Sequence, residues 1–122
     1  MRYMTLVRGP ENAGPPPPAL IDAIGKLGEE ATRAGVMVEN GGLHSGAAGA
    51  RIRISGGKIA VTDGPFSEAK EIIGGYAVYE CKSKEEAIEW SRRFMELHTE
   101  HWPGWEGEVE LRQVFGPNDF PV

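Results

Sequence analysis

His44 and Asp63 are the residues of this 122-residue chain whose types and placing best suit acid–base chemistry. His44 follows Gly41-Gly42-Leu43 at the end of an extended run, and Asp63 directly precedes Gly64-Pro65. A carboxylate that holds an imidazole in one tautomer leaves the other ring nitrogen free to take a substrate proton, which makes the smallest general-base pair. Each residue also has a plainer role. Asp is favoured at the first position of a turn, and Gly64-Pro65 makes a turn there necessary; a histidine at a strand end can simply form part of a rim. Arg112 is a further candidate, because an anionic substrate would want a guanidinium.

His98 and His101 stand three residues apart with Glu100 between them, a spacing that could offer two imidazoles to a metal. Nothing else in the chain supplies a convincing third ligand. Two histidines at a helix C-terminus also offset its dipole, so that role is expected of them and no metal is. Cys81 is the single cysteine and lacks a local basic partner. An inert thiol is expected, no internal disulfide can form, and a reducing, cytoplasmic setting fits. Gly41-Gly42 and Gly74-Gly75 lack the further glycines and the Lys-Ser/Thr of a phosphate loop. No cofactor is expected.

The elements that must position these groups can be read from periodicity. Arg2 to Arg8 alternates Tyr3, Thr5 and Val7 with Met4 and Leu6, as a strand covered on both sides would. Pro15-Pro-Pro-Pro18 leads into a helix whose apolar face is Leu20, Ile24, Leu27, Ala31 and Ala34, stopped by Gly35. A second strand starts at Val36-Met-Val38 and reaches His44. Ala50–Ser55 and Lys58–Asp63 flank Gly56-Gly57, the two-residue turn of a hairpin. That turn pairs Ile54 with Ile59 and Ile52 with Val61 on an apolar face, and Arg53 with Ala60 and Arg51 with Thr62 on the other. One step further sets Asp63 opposite Ala50, on the apolar face, which predicts an inward carboxylate.

Ile72 to Cys81 reads as a strand. Ser83-Lys-Glu-Glu86 is a capping box for a helix whose buried face is expected to be Ala87, Trp90, Phe94 and Leu97, ended by Pro103. Trp102 and Trp105 bracket Pro103-Gly104 as packing residues that could wall a cleft. Glu108 to Phe115 is the last strand, with Val109, Leu111 and Phe115 on its apolar side. β-α-β, a hairpin and β-α-β predict an α+β ferredoxin-like fold, an antiparallel sheet with both helices on one face.

The length allows one domain, residues 1–122. Leu, Ile, Val and Phe make up only 26 of the 122 residues, so the core is modest. A bare sheet face and a small core together predict a homodimer packed sheet to sheet. Net charge is −5, and all of it lies between Glu80 and Glu110, where nine acids stand against four bases. Without a basic stripe, nucleic acid is not an expected partner. No apolar run approaches the ~20 residues of a membrane span.

Thr62-Asp-Gly-Pro-Phe-Ser-Glu-Ala-Lys-Glu-Ile-Ile-Gly-Gly-Tyr76 resembles the signature of the DGPF-domain branch of the YCII-related family, named for the residues that here are Asp63, Gly64, Pro65 and Phe66. The opening Arg-Tyr-Met, Gly42-Leu43-His44, Ala50-Arg-Ile-Arg, Lys84-Glu-Glu-Ala-Ile-Glu-Trp90 and Glu110-Leu-Arg-Gln-Val-Phe115 are similar to family positions in family order, so the resemblance covers nearly the whole chain. It implies a dimeric α+β barrel of ferredoxin-like subunits, each with a cleft between sheet and helices. It implies a His and an Asp meeting in that cleft, matched by position to His44 and Asp63; beside that pair, Phe66, Tyr76 and Arg112 are the expected substrate-binding candidates. Most members have no established activity; one branch removes chloride from a chlorinated hydroxyquinone, and some genes lie beside those of alternative sigma factors. The expected function is therefore cofactor-free proton transfer on a small molecule: isomerisation, lactone opening or dehydrohalogenation. A non-catalytic ligand-binding or regulatory dimer is the alternative.

Overall fold

A computed structural model describes residues 1–10, 12–44, 48–64 and 71–119. Strand β1 (Arg2–Pro10) leads through the proline run into helix α1 (Pro18–Arg33). Pro18 occupies the first turn, where its missing N–H is not needed, and the Pro17 carbonyl receives the Leu20 and Ile21 N–H groups. The helix ends in a Schellman motif. Gly35 takes φ +74°, its N–H donates to Thr32 O, and the Val36 N–H donates to Ala31 O. Ala34, expected on the buried face, is instead the exposed C-cap residue, because the chain leaves the helix there.

Strand β2 (Met37–Gly42) follows, then the hairpin strands β3 (Ala50–Ser55) and β4 (Lys58–Asp63), β5 (Glu71–Glu80), helix α2 (Lys84–His101) and β6 (Glu108–Gln113). The main sheet has the order β2-β5-β1-β6, with every neighbouring pair antiparallel. Two interleaved β-α-β units produce that order, so the fold is the ferredoxin-like α+β arrangement. β1 lies between β5 and β6, and cross-strand partners share a face. Tyr3 pairs with Tyr79, Thr5 with Ala77 and Leu111, and Val7 with Gly75 and Val109. This row faces the helices. Tyr3, Val36, Ala77, Tyr79, Cys81 and Ala87 form the core, with Met37, Trp90 and Leu111 against it.

The opposite sheet face carries Met4, Leu6 and Val78, each half-buried, beside the ion pairs Arg8–Glu110 and Arg112–Glu110. The two helices are tied to each other by an Arg93–Glu30 ion pair, and the Arg93 guanidinium lies 4.8 Å from the centre of the Trp90 ring.

The hairpin register matches the expectation pair for pair, from Ser55 with Lys58 to Ala50 with Asp63. Gly56 and Gly57 both take positive φ, as this turn requires. Its surroundings differ from the expectation. β3 and β4 form a separate two-stranded sheet, and Ile52, Ile54, Ile59 and Val61 are 66–74% exposed. The Asp63 carboxylate is correspondingly on an exposed face and not an inward one, because no described part of the chain covers that face. Phe115, expected on the apolar side of the last strand, lies beyond the end of β6 and is 69% exposed.

Ser83 caps α2: its hydroxyl accepts the Glu86 N–H at 3.2 Å. The return half of the box is displaced by one residue, since the Glu86 carboxylate accepts the Lys82 N–H at 3.3 Å and not that of Ser83. Substituting Ser83→Ala should therefore destabilise the protein by about 1 kcal/mol, read as a lower urea midpoint with unchanged slope.

Candidate functional site

The helix-facing row narrows to small side chains toward one end of the sheet: Thr5, Ala77 and Gly75. A side chain at Gly75 has no room, since a Cβ there would lie 3.1 Å from the Gly41 carbonyl oxygen. Such residues cannot fill the space between a sheet and the helices above it, and a cleft of about 850 Å³ remains. Helix α1 contributes Leu20, Ile24 and Ala31 to its walls, at the apolar spacing read from the sequence. Helix α2 contributes Trp90, Ser91, Phe94 and His98, and Trp105 joins them from the segment after the helix.

Trp105 is seated by glycines. A Cβ on Gly9 would lie 2.9 Å from its ring, and one on Gly107 would collide with both the ring and the Arg8 carbonyl. The indole stacks on Trp102 at 5.8 Å and on the His98 ring at 4.7 Å. His98 also meets Phe94, at 4.7 Å, so the imidazole is in contact with two aromatic rings, both tilted to it.

Among the described residues, the three buried polar side chains Thr5, Ser91 and His98 all border this cleft. Thr5 Oγ1 donates to Ala77 O at 3.4 Å, and Ser91 Oγ donates to Ala87 O at 2.8 Å. His98 Nδ1 lies 3.0 Å from Phe94 O. A carbonyl can only accept, so Nδ1 carries the hydrogen, and Nε2 is left as the acceptor of the neutral ring. Burial pushes the His98 pKa down, against a smaller upward effect of the Phe94 carbonyl. A neutral His98 does not offset the helix dipole as expected; His101 is half-buried with Nε2 3.8 Å from Glu100 Oε2. Among the described residues no group of three His, Cys, Asp or Glu is placed to hold a metal.

The residues singled out from sequence lie elsewhere or at the edge. His44 is exposed and directly follows Leu43, which borders the cleft and whose N–H donates to Gly74 O at 3.0 Å. Asp63 ends β4 at the base of the hairpin, where the Gly64 N–H donates to Gly49 O. Among the described residues no hydrogen bond or ion pair joins His44 to Asp63. Tyr76 borders the cleft, with its ring over Gly41 and its hydroxyl donating to Glu39 Oε1 at 2.9 Å. That carboxylate holds the phenol pKa up. Arg112 projects from the helix-free sheet face, 3.0 Å from Glu110, away from the cleft. Phe66 falls within residues 65–70, outside the described residues. Cys81 is buried in the core, and burial pushes its thiol pKa up.

Ser91 and His98 were missed on the cleft face. The sequence reading followed Ala87, Trp90, Phe94 and Leu97, whereas Ala87, Ser91, Phe94 and His98 are equally well spaced for a helix face. The 4-3-4 interval was the available signal.

A YCII-related domain model matches residues 1–102. The chain is also 42% identical over 74 residues to the uncharacterized protein R00369 of Rhizobium meliloti (strain 1021). That stretch covers 61% of this chain and 57% of the relative, so the match spans little more than half of the relative's length.

Because the folded His98 pKa lies below its ordinary 6.5, the unfolded chain takes up this proton before the native one does. Stability from this residue is complete above pH 6.5 and is lost as pH falls from there toward the lowered native value. A series of urea melts from pH 8 to pH 5 should show this loss, and His98→Gln should flatten it while the other two histidines remain.

Proposed function

The chain belongs to the YCII-related family, and from that premise and its cleft we propose that it binds a small, flat, largely apolar molecule between its helices and its sheet. One observation carries the reading: a space of about 850 Å³ walled by Trp90, Phe94, His98 and Trp105. Ligand sites are typically concave, mostly apolar and furnished with a few placed polar groups, and Thr5, Ser91 and His98 supply those here.

The catalytic form of this proposal is proton transfer without a redox cofactor, of the isomerase, lactone-opening or dehydrohalogenating kind. His44 would act at the mouth, one residue beyond Leu43, with Asp63 orienting its ring. The Leu43–Gly74 hydrogen bond supports this placing, because it fixes the strand end that presents His44. A ligand-binding module without turnover is the competing reading. Amide spectra of labelled protein titrated with small aromatic compounds should show shifts at the Trp90 and Trp105 indole N–H groups and none along β3 and β4. Shifts confined to the hairpin would remove the cleft from consideration. For a ligand found this way, turnover that follows a single ionisation and is lost in Asp63→Asn supports catalysis; unchanged binding without turnover supports the module.

We further propose that the protein is a homodimer. A two-stranded hairpin is marginal in water, yet β3 and β4 turn four large apolar side chains to solvent, and the helix-free sheet face adds Met4, Leu6 and Val78. A two-fold pairing of these faces covers both with the same residues from each copy. Sedimentation at micromolar concentration should give twice the chain mass, and Ile54→Lys should shift it toward the monomer. A wild-type monomer under those conditions overturns the assembly.

A further inference from the structure

The polar groups buried along the cleft share one property that its shape alone does not require. Thr5, Ser91 and His98 have each committed a hydrogen to a backbone carbonyl of the protein, at Ala77, Ala87 and Phe94. What each keeps is acceptor capacity: hydroxyl lone pairs on Thr5 and Ser91, and Nε2 on His98. Among these, Nε2 is the strongest acceptor, and among the described residues no side-chain nitrogen or oxygen is both fully buried and without a partner. Tyr79, whose phenol can either donate or accept, is a further buried side chain with a polar tip in this wall.

Resting on the ligand-binding reading, we propose that the cleft selects an aromatic molecule carrying a hydrogen-bond donor, an N–H or O–H, and that His98 Nε2 receives it. His98 is suited to fix the direction of that donor. Its ring contacts Phe94 and Trp105, each 4.7 Å away, and its Nδ1 bond to Phe94 O holds the tautomer and the ring orientation. A ligand without a donor would enter the same apolar space, but it would leave a desolvated acceptor unpaired, which is the source of strong discrimination in sites built around a hydrogen bond.

Indole and benzofuran test this, because they differ by the exchange of N–H for O in a ring system of the same size. Each is titrated into labelled wild-type protein and followed at the Trp90 and Trp105 indole resonances and the His98 ring nitrogens. Indole is expected to bind at least about tenfold more tightly than benzofuran, equivalent to about 1.4 kcal/mol, and to move Nε2 more than Nδ1. His98→Phe keeps an aromatic ring beside Phe94 and Trp105 and should bring the two affinities together; His98→Gln, which restores an acceptor oxygen, should recover part of the preference. Equal wild-type affinities with shifts at the cleft tryptophans overturn the donor preference and leave the cleft as a binding site. Absence of any cleft shift with either compound at millimolar concentration overturns both.

Discussion

The size of the residues at the middle of the sheet governs the rest of the molecule. β1 and β5 are the central strands, and their helix-facing row passes from Tyr3 and Tyr79, through Thr5 and Ala77, to Val7 and Gly75. Where the tyrosines stand, the layer between sheet and helices is filled, and Tyr3, Tyr79, Ala87 and Cys81 make a dry core. Further along, the side chains shrink to Thr5, Ala77 and Gly75, and α1 is held over the gap by its fully buried Leu20 and by its ion pair to α2. The gradient from large to small within one strand pair separates the half of the subunit that stabilises from the half that can take up a molecule. Close packing elsewhere makes an open volume of this kind costly unless something occupies it.

Trp105 closes the end of that volume, and its seat explains two glycines whose conformations would not otherwise require one. Neither Gly9 nor Gly107 has a positive φ. Both are small because the indole occupies the space that a Cβ would need. Through Trp105 the same contact reaches His98, so the wall and its ionisable group are positioned together. An imidazole in contact with two rings and desolvated in this way stays neutral at physiological pH, which turns a residue of ambiguous charge into a fixed acceptor.

Much of this was legible beforehand where the signal is local. The Gly56-Gly57 turn determined six cross-strand pairs, because a two-residue turn leaves a hairpin no freedom of register. Gly35 and Ser83 marked helix boundaries through backbone chemistry that acts within a few residues. The site was less legible. On α2 two overlapping face patterns compete, and hydrophobicity favoured Trp90 and Leu97 over Ser91 and His98. A serine or histidine can be buried once its donor finds a carbonyl one turn back, and both do so here. Alternation likewise reported that the hairpin has an apolar face, but a period of two contains nothing about what covers that face.

The contrast between the chain's histidines follows from the same principle. His44 stands exposed just beyond the end of β2. His98 stands where solvent is excluded and where Phe94 and Trp105 have fixed its ring in advance. A residue of the first kind suits exchange of protons with a molecule at the mouth; one of the second suits recognition within, since a neutral acceptor in an apolar wall penalises every occupant that fails to satisfy it. His44 lies just beyond β2 and His98 on α2, so the fold can vary one without disturbing the other. A subunit that recognised its ligand through a helix face and reacted with it at a strand end would keep its ligand class while its chemistry changed.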